Sequence, residues 1–368
     1  MAKVKVKNKK ALRLAKEKLR GVVSLSKTKH GIIAKKWPRK KSKKALYEIQ
    51  KEIIKSKLSK NQGVKDAVLE ELVETKKHTQ PDVTATNHKL IVGNCMSMAE
   101  IPDGSVHLMI TSPPYFNAPF DYKGLFKSYE QYLGVLKSFA EETYRVLQDG
   151  RIAVLNIDDM LIDGEKYPIA ADAVKIFQQA GFRYRDKIVW KKPDGYLRIS
   201  RRSGVILQNP YPMYFYPDNL LESIVIFQKG RFDYRSISKD VREKSKVDTK
   251  EIQKNRWYMT LWEMNNVMPG SSLEKDIAAF PEELPYRAIK LFSYKNETVL
   301  DPFAGSGTTM KKARELGRNS IGFEIKKSLV STIKTKLGFG DAQKTFFANQ
   351  NDKLEIIYRE ADKYGYIS

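Results

Sequence analysis

From Thr298 the chain passes through a short apolar stretch, Thr298-Val299-Leu300, into Asp301-Pro302-Phe303-Ala304-Gly305-Ser306-Gly307, and then into a helical pattern over Thr308–Leu316. A strand that enters a helix through two closely spaced glycines fits a parallel α/β sheet. Gly305 and Gly307 allow a tight turn and let the backbone come close to a ligand. The helix start then offers unpaired N–H groups and the positive end of the helix dipole, which suit a carboxylate or a phosphate. About twenty residues after Asp301 the next strand closes on Glu324, where an acid can take ribose hydroxyls.

The turn departs from two familiar patterns. Met310 stands where a dinucleotide fingerprint has its third glycine, and no Gly-Lys-Ser/Thr follows as in a phosphate loop. With Asp301 in front, the pattern favours S-adenosylmethionine over a nicotinamide cofactor. The rest of the chain from His88 onward supports the same class. Apolar strands are predicted at 88–92, 106–111, 151–157, 183–191, 223–228, 298–300 and 320–323. Helices are predicted at 129–147, 169–180, 285–292 and 308–316. This alternation predicts a three-layer, Rossmann-like α/β domain with a mostly parallel sheet.

A second run stands about 190 positions before the glycine turn: Thr111-Ser112-Pro113-Pro114-Tyr115, directly after an apolar strand. Two prolines have no N–H to donate and fix φ, so the carbonyls around Ser112 and Pro113 are held free and rigid. An exocyclic amino group on a nucleobase needs such acceptors. Ser112 and the Pro113 carbonyl can orient it, and Tyr115 can stack on the base. A base inside a duplex cannot reach such a pocket, so base flipping is implied. A simple Pro-Pro strand terminator is the competing reading of this run on its own.

Charge is concentrated at the start. Residues 1–60 hold 22 Lys/Arg against Glu17, Glu48 and Glu52, a balance of +19 out of the chain's +24. A basic arm of this kind suits a polyanion. Apolar residues recur at helical spacing at 11–19 and 45–54, which predicts two amphipathic helices interrupted by Trp37-Pro38, and a further helix is predicted at 64–74. Aromatic residues make up 11% of the chain and argue against general disorder. Cys95 is the lone cysteine, so neither an internal disulfide nor a cysteine metal cluster is expected, and no metal is called for. The sequence lacks a signal-like start and a membrane-length apolar run, which points to a cytoplasmic, nucleoid-associated protein without a membrane partner.

Together these runs resemble the amino-group DNA methyltransferases. They are closest to the circularly permuted, beta-class members, in which the catalytic motif precedes the cofactor motif. The resemblance covers about residues 88–335. Phe280-Pro281-Glu282-Glu283-Leu284-Pro285 looks like the family segment bordering the methionine end of the cofactor. Gly93-Asn94-Cys95 sits where the family usually has Gly-Asp near the cofactor adenine, so Asn94 is a departure. The resemblance implies a cofactor site of Asn94, Thr111, Phe280, Pro281, Asp301, Pro302, Phe303, Ala304, Gly305, Ser306, Gly307, Thr308, Thr309 and Glu324. It implies a catalytic site of Ser112, Pro113, Pro114 and Tyr115.

Serine before Pro-Pro-Tyr is typical of the N4-cytosine enzymes, and Asp or Asn of the N6-adenine enzymes, with exceptions. The expectation is therefore methylation of cytosine N4 in double-stranded DNA by direct attack on the sulfonium methyl, since Cys95 lacks the context of a C5-type nucleophile. N6-adenine methylation, RNA or protein methylation and a non-catalytic DNA-binding module remain alternatives. A cognate restriction endonuclease is an expected partner. The expected organisation is a basic helical extension and linker at 1–84, a catalytic half at 85–190, a target-recognition insert at 191–265, a cofactor half at 266–340 and a tail at 341–368. Trp190, Lys191, Lys192, Arg198, Arg201 and Arg202 are the candidate DNA contacts.

Overall fold

The computed structural model describes residues 85–118, 125–193, 203–265, 280–340 and 351–359, with the backbone of a hairpin near the start of the chain. The chain divides into two units, Met1–Asp82 and Val83–Ser368. In the first, Ser24–Thr28 pairs antiparallel with Gly31–Lys36. The helices expected at 11–19, 45–54 and 64–74 lie outside the described residues, as do Arg198, Arg201 and Arg202.

The second unit is built on a nine-stranded sheet. In chain order its strands are β1 (Asn87–Val92), β2 (Val106–Thr111), β3 (Leu147–Ile157), β4 (Arg183–Lys191), β5 (Leu221–Gln228), β6 (Leu261–Glu263), β7 (Thr298–Asp301), β8 (Asn319–Glu324) and β9 (Lys353–Tyr358). Across the sheet the order is β6-β4-β5-β3-β2-β7-β8-β1-β9. Strand β5 runs antiparallel to both neighbours; every other pairing is parallel.

Helices cover both faces. The helices α1 (Tyr129–Val146) and α2 (Ile169–Gln179) bury Tyr132, Leu136, Phe139, Ala173 and Phe177 against one face. The helix α3 (Glu283–Phe292) buries Leu284, Ala288 and Ile289 on the other, joined there by Ala313 of α4 (Thr308–Glu315). The helix α5 (Val330–Lys336) packs with Leu90, Val92 and Met310 in a third cluster. Two covered faces explain why β2 and β5 read as continuous apolar runs rather than alternating ones. Ser128 caps α1, its hydroxyl accepting the Gln131 N–H at 3.2 Å, with Glu130 in the first turn and Arg145 in the last, as the helix dipole favours.

Two elements differ from the sequence reading. Residues 353–358, placed in a C-terminal tail, form edge strand β9 on β1. Residues 261–263, read as irregular, form β6 at the opposite edge. Strands β5 and β6 both belong to the sheet, so the span 191–265 is partly scaffold and only partly insert. Among the described residues no helix is long and apolar enough to cross a membrane.

Candidate active site

Because the strands other than β5 are parallel, their carboxyl ends share one edge of the sheet. That edge carries Asn94 after β1, Ser112–Tyr115 after β2, Asp158 after β3, Asp301–Gly307 after β7 and Glu324 at the end of β8. Strand β5 is reversed, so its first residues, Leu221 and Glu222, reach the same edge. Ligands in open α/β sheets bind at this edge.

The glycine turn and the Ser-Pro-Pro-Tyr run, 190 residues apart, are joined directly. The buried Thr111 hydroxyl donates to Asp301 Oδ1 at 2.7 Å. Strands β2 and β7 are neighbours, with Leu300 beside Met109. Asp301 is 1% exposed, and its Oδ2 has no hydrogen-bond partner among the described residues. Burial pushes its carboxyl up to about 6, against the pull of the Thr111 hydroxyl. An acid kept in such a place without a full set of donors is costly unless something else pairs with it.

The turn itself is held by Ala304 N–H on Phe323 O at 2.8 Å and by Gly305 N–H on Glu324 Oε2 at 2.9 Å. Gly305 and Gly307 adopt φ of +54° and +83°, and a Cβ at Gly307 would lie 3.1 Å from Ile333 Cγ2. No side chain caps α4. Lys336 Nζ, from α5, donates to the hydroxyls of Ser306 and Thr308 at 2.7 Å each. Glu324 is buried, which raises its carboxyl above the usual range, while the backbone N–H groups of Lys326 and Gly305 oppose that. Each Glu324 oxygen uses one lone pair on those donors and keeps another.

At the catalytic run, Pro113 and Pro114 are buried and Ser112 is half-buried. The Tyr115 ring is half-buried with its hydroxyl enclosed, and it donates to Glu222 Oε2 at 3.1 Å. Burial and the Glu222 charge hold that phenol well above its ordinary value. Asn156 Nδ2 donates to the same Glu222 oxygen at 2.6 Å, and Lys192 Nζ pairs with the other at 2.7 Å. Asp158 accepts from Asn219. Burial, aided by the Glu222 charge, pushes Asp158 up to about 6. The result is a polar wall of Tyr115, Asn156, Asp158 and Glu222 beside Ser112.

Asn94 is buried and turns its side-chain oxygen onto the Met96 N–H at 3.1 Å. Pro302, Phe303 and Ala304 follow Asp301 in the turn, and buried Thr309 stands in the first turn of α4. Phe280 and Pro281 lead into α3, and Phe280 packs on the core below it. Two candidate DNA contacts are corrected. Trp190 is 3% exposed in the core, its indole N–H donating to Met264 O at 3.0 Å. Lys192 is tied to Glu222. Lys191 is partly exposed, 3.9 Å from Glu263. Sequence reading missed Glu222, Asn156 and Lys336, whose partners come from distant strands and helices.

The family model described as DNA methylase (N6_N4_Mtase) matches residues 106–335. The chain belongs to this DNA methylase family. Among curated members, the Type II methyltransferase M.MjaI of Methanocaldococcus jannaschii is 36% identical over 70% of this chain and 93% of its own length. M.MthZI of Methanothermobacter thermautotrophicus, also a Type II methyltransferase, is 28% identical over 76% of this chain and 85% of its own. The crystal structure of a DNA modification methylase of Thermus thermophilus, complexed with S-adenosyl-L-methionine, is 28% identical. It covers 73% of this chain and 99% of its own, with a TM-score of 0.56. PvuII DNA methyltransferase (cytosine-N4-specific) shares the fold at 20% identity and a TM-score of 0.53, over 71% of this chain and 89% of its own.

Proposed function

We propose that this DNA methylase transfers a methyl group from S-adenosylmethionine to the N4 amino group of cytosine in duplex DNA, on a flipped base. The observation that carries this reading is the Thr111–Asp301 hydrogen bond, which sets the Ser112 run and the glycine turn side by side at one sheet edge. The order of the motifs along the chain, catalytic first, supports a circularly permuted member of the family. The names of the Type II relatives support a role beside a restriction endonuclease.

The residues at the edge fit the methyl donor. S-adenosylmethionine carries a carboxylate, two positive groups and a ribose. The uncapped start of α4 suits the carboxylate, the unpaired Asp301 Oδ2 suits a cationic group, and the spare lone pairs of Glu324 suit ribose hydroxyls. When bound, the donor supplies an electrophilic methyl on its sulfonium. The chain supplies position. Ser112 and the Pro113 carbonyl accept from the two amino hydrogens and turn the nitrogen lone pair away from the ring. Tyr115, fixed by Glu222, lies against the base. The transfer forms an N–C bond, breaks the S–C bond and releases one amino proton. Positioning of this kind is the main catalytic resource needed.

The serine before Pro-Pro-Tyr supports cytosine. The test is transfer of isotopically labelled methyl from S-adenosylmethionine to duplex DNA, RNA and protein, with the product base identified by mass spectrometry and its sequence context mapped. N4-methylcytosine is expected, and Ser112→Ala is expected to lower kcat by about 100-fold, as when one transition-state hydrogen bond is removed. N6-methyladenine would overturn the choice of base. Label in RNA or protein alone would overturn the substrate, and an unchanged Ser112→Ala rate would overturn the role of Ser112.

A further inference from the structure

Between the basic run at 191–202 and strand β5, the chain makes an exposed turn whose side chains are apolar. Met213 is 90% exposed, Leu207 79% and Phe215 70%, with Tyr211, Tyr214 and Tyr216 also on the surface. Large apolar groups clustered this way on a soluble protein mark a surface that something covers. Met213 also sits at φ +74°, in the left-handed region that an unbranched non-glycine side chain enters at a cost. The turn is ordered by its own backbone, with Tyr211 N–H on Asn209 O at 2.8 Å and Tyr214 N–H on Tyr211 O at 3.3 Å. The structure thus holds its most exposed methionine outward at a strained tip.

The foot of this turn is bonded to the catalytic wall. Asn219 donates to Asp158, Lys192 N–H donates to Leu220 O at 2.9 Å, and Glu222 holds Tyr115. Chain length limits Tyr216 to within about 10 Å of Asn219, and Met213 to within about 20 Å. A duplex that has delivered a base to Tyr115 must lie over this same edge. At about 34 Å per helical turn, its footprint extends past the turn's reach. The sequence just before the turn is matched to a polyanion: Lys191, Lys192, Arg198, Arg201 and Arg202 stand against the single acid Asp194. A surface apolar at its tip and basic at its approach matches distorted DNA, with phosphates outside and unstacked bases inside.

We propose that the 207–216 turn is a wedge, with Met213 and Phe215 entering the base stack and occupying the space vacated when the target base leaves the duplex. This rests on the base-flipping reading given above. Apolar side chains inserted between base steps offset the cost of unstacking, which is smallest where the target base is already mispaired. The wedge therefore matters most on fully paired DNA.

The experiment compares kcat/KM on two duplexes carrying the mapped site, one fully paired and one with the target base mispaired. The full chain and its Met213→Ala, Phe215→Ala and Met213→Leu variants are used. The alanine variants are expected to lose about tenfold more on paired than on mispaired DNA, and Met213→Leu to keep the wild-type ratio. Since these side chains are exposed, S-adenosylmethionine affinity measured by calorimetry should be the same in all four proteins. Equal losses on the two duplexes, or none on either, would overturn the wedge. So would equal losses accompanied by a change from dimer to monomer in light scattering, which would assign the surface to a second copy of the chain. A wild-type protein that methylates no DNA would instead overturn the proposed function, and the wedge with it.

Discussion

Asp301 ionises in a setting that resists charge. Folding raises its pKa to about 6 through burial, so the folded chain holds this proton more tightly than the unfolded chain does. The resulting penalty on stability is complete above about pH 6 and fades as pH falls toward the ordinary carboxylate range. Above pH 6 the ionised carboxylate, with Oδ2 unpaired, is ready for a cationic ligand. Asp301→Asn keeps an acceptor for Thr111 and removes the charge. It should therefore stabilise the ligand-free protein at pH 8 by about 1–3 kcal/mol in a urea titration. It should also weaken S-adenosylmethionine binding by about tenfold or more in calorimetry at the same pH. The wild type should lose affinity as pH falls through about 6, and the variant should not. A variant that gains stability without losing affinity would remove Asp301 from the cofactor site. Asp301 and Ser112 were legible in the sequence because each lies in a contiguous run whose residue types suit one task. Glu222 was not. Its meaning comes from Tyr115, Asn156 and Lys192, which only the reversal of β5 brings to it.

The unit β7–turn–α4–β8 shows how an element solves a packing problem in its own way. Dinucleotide folds place a third glycine in the helix so that helix and strand can approach. Here that position is Met310, fully buried, and the space is made on the strand instead. A Cβ at Gly322 would lie 2.5 Å from Met310 Sδ and 3.1 Å from Ala304 Cβ. Gly322→Ala should thus cost about 1–3 kcal/mol in urea unfolding, the usual cost of overpacking. Met310→Ala alone should cost about 2–5 kcal/mol through its cavity. Combined, the two should be less destabilising than their sum by about 1 kcal/mol or more, because each relieves the other; strict additivity would show that the two positions do not meet. The central strands were readable because two covered faces make them uniformly apolar. The edge strands were harder. Strand β9 alternates Leu354 and Ile356 with Lys353 and Glu355 over only six residues, and β6 has three residues in a charged neighbourhood. Short runs of this kind gain their structure from the neighbour they pair with, β1 for one and β4 for the other.

At the scale of the whole molecule the charge is divided as sharply as the fold is. Residues 1–60 carry +19, the other 308 residues carry +5, and the boundary between compact units falls after Asp82. A methylase domain with so little net charge has only modest long-range attraction for a polyanion. An arm with 22 basic residues supplies that attraction without having to read bases, because phosphate contacts set affinity and register while base contacts set sequence. Removing residues 1–60 should accordingly lower affinity for any duplex and leave the methylated sequence unchanged. It should also flatten the plot of log affinity against log salt, by about 0.9 for each phosphate that the arm had neutralised. The measurement is duplex binding by fluorescence anisotropy at several salt concentrations, for the full and shortened chains, with methylation mapped in parallel. A shortened chain with the same affinity and the same salt slope would show that the arm does not clamp DNA. A changed methylation site would show that it reads sequence as well. Since the arm forms its own unit, its loss should leave the urea transition of the methylase domain in place, which separates weaker binding from a damaged fold.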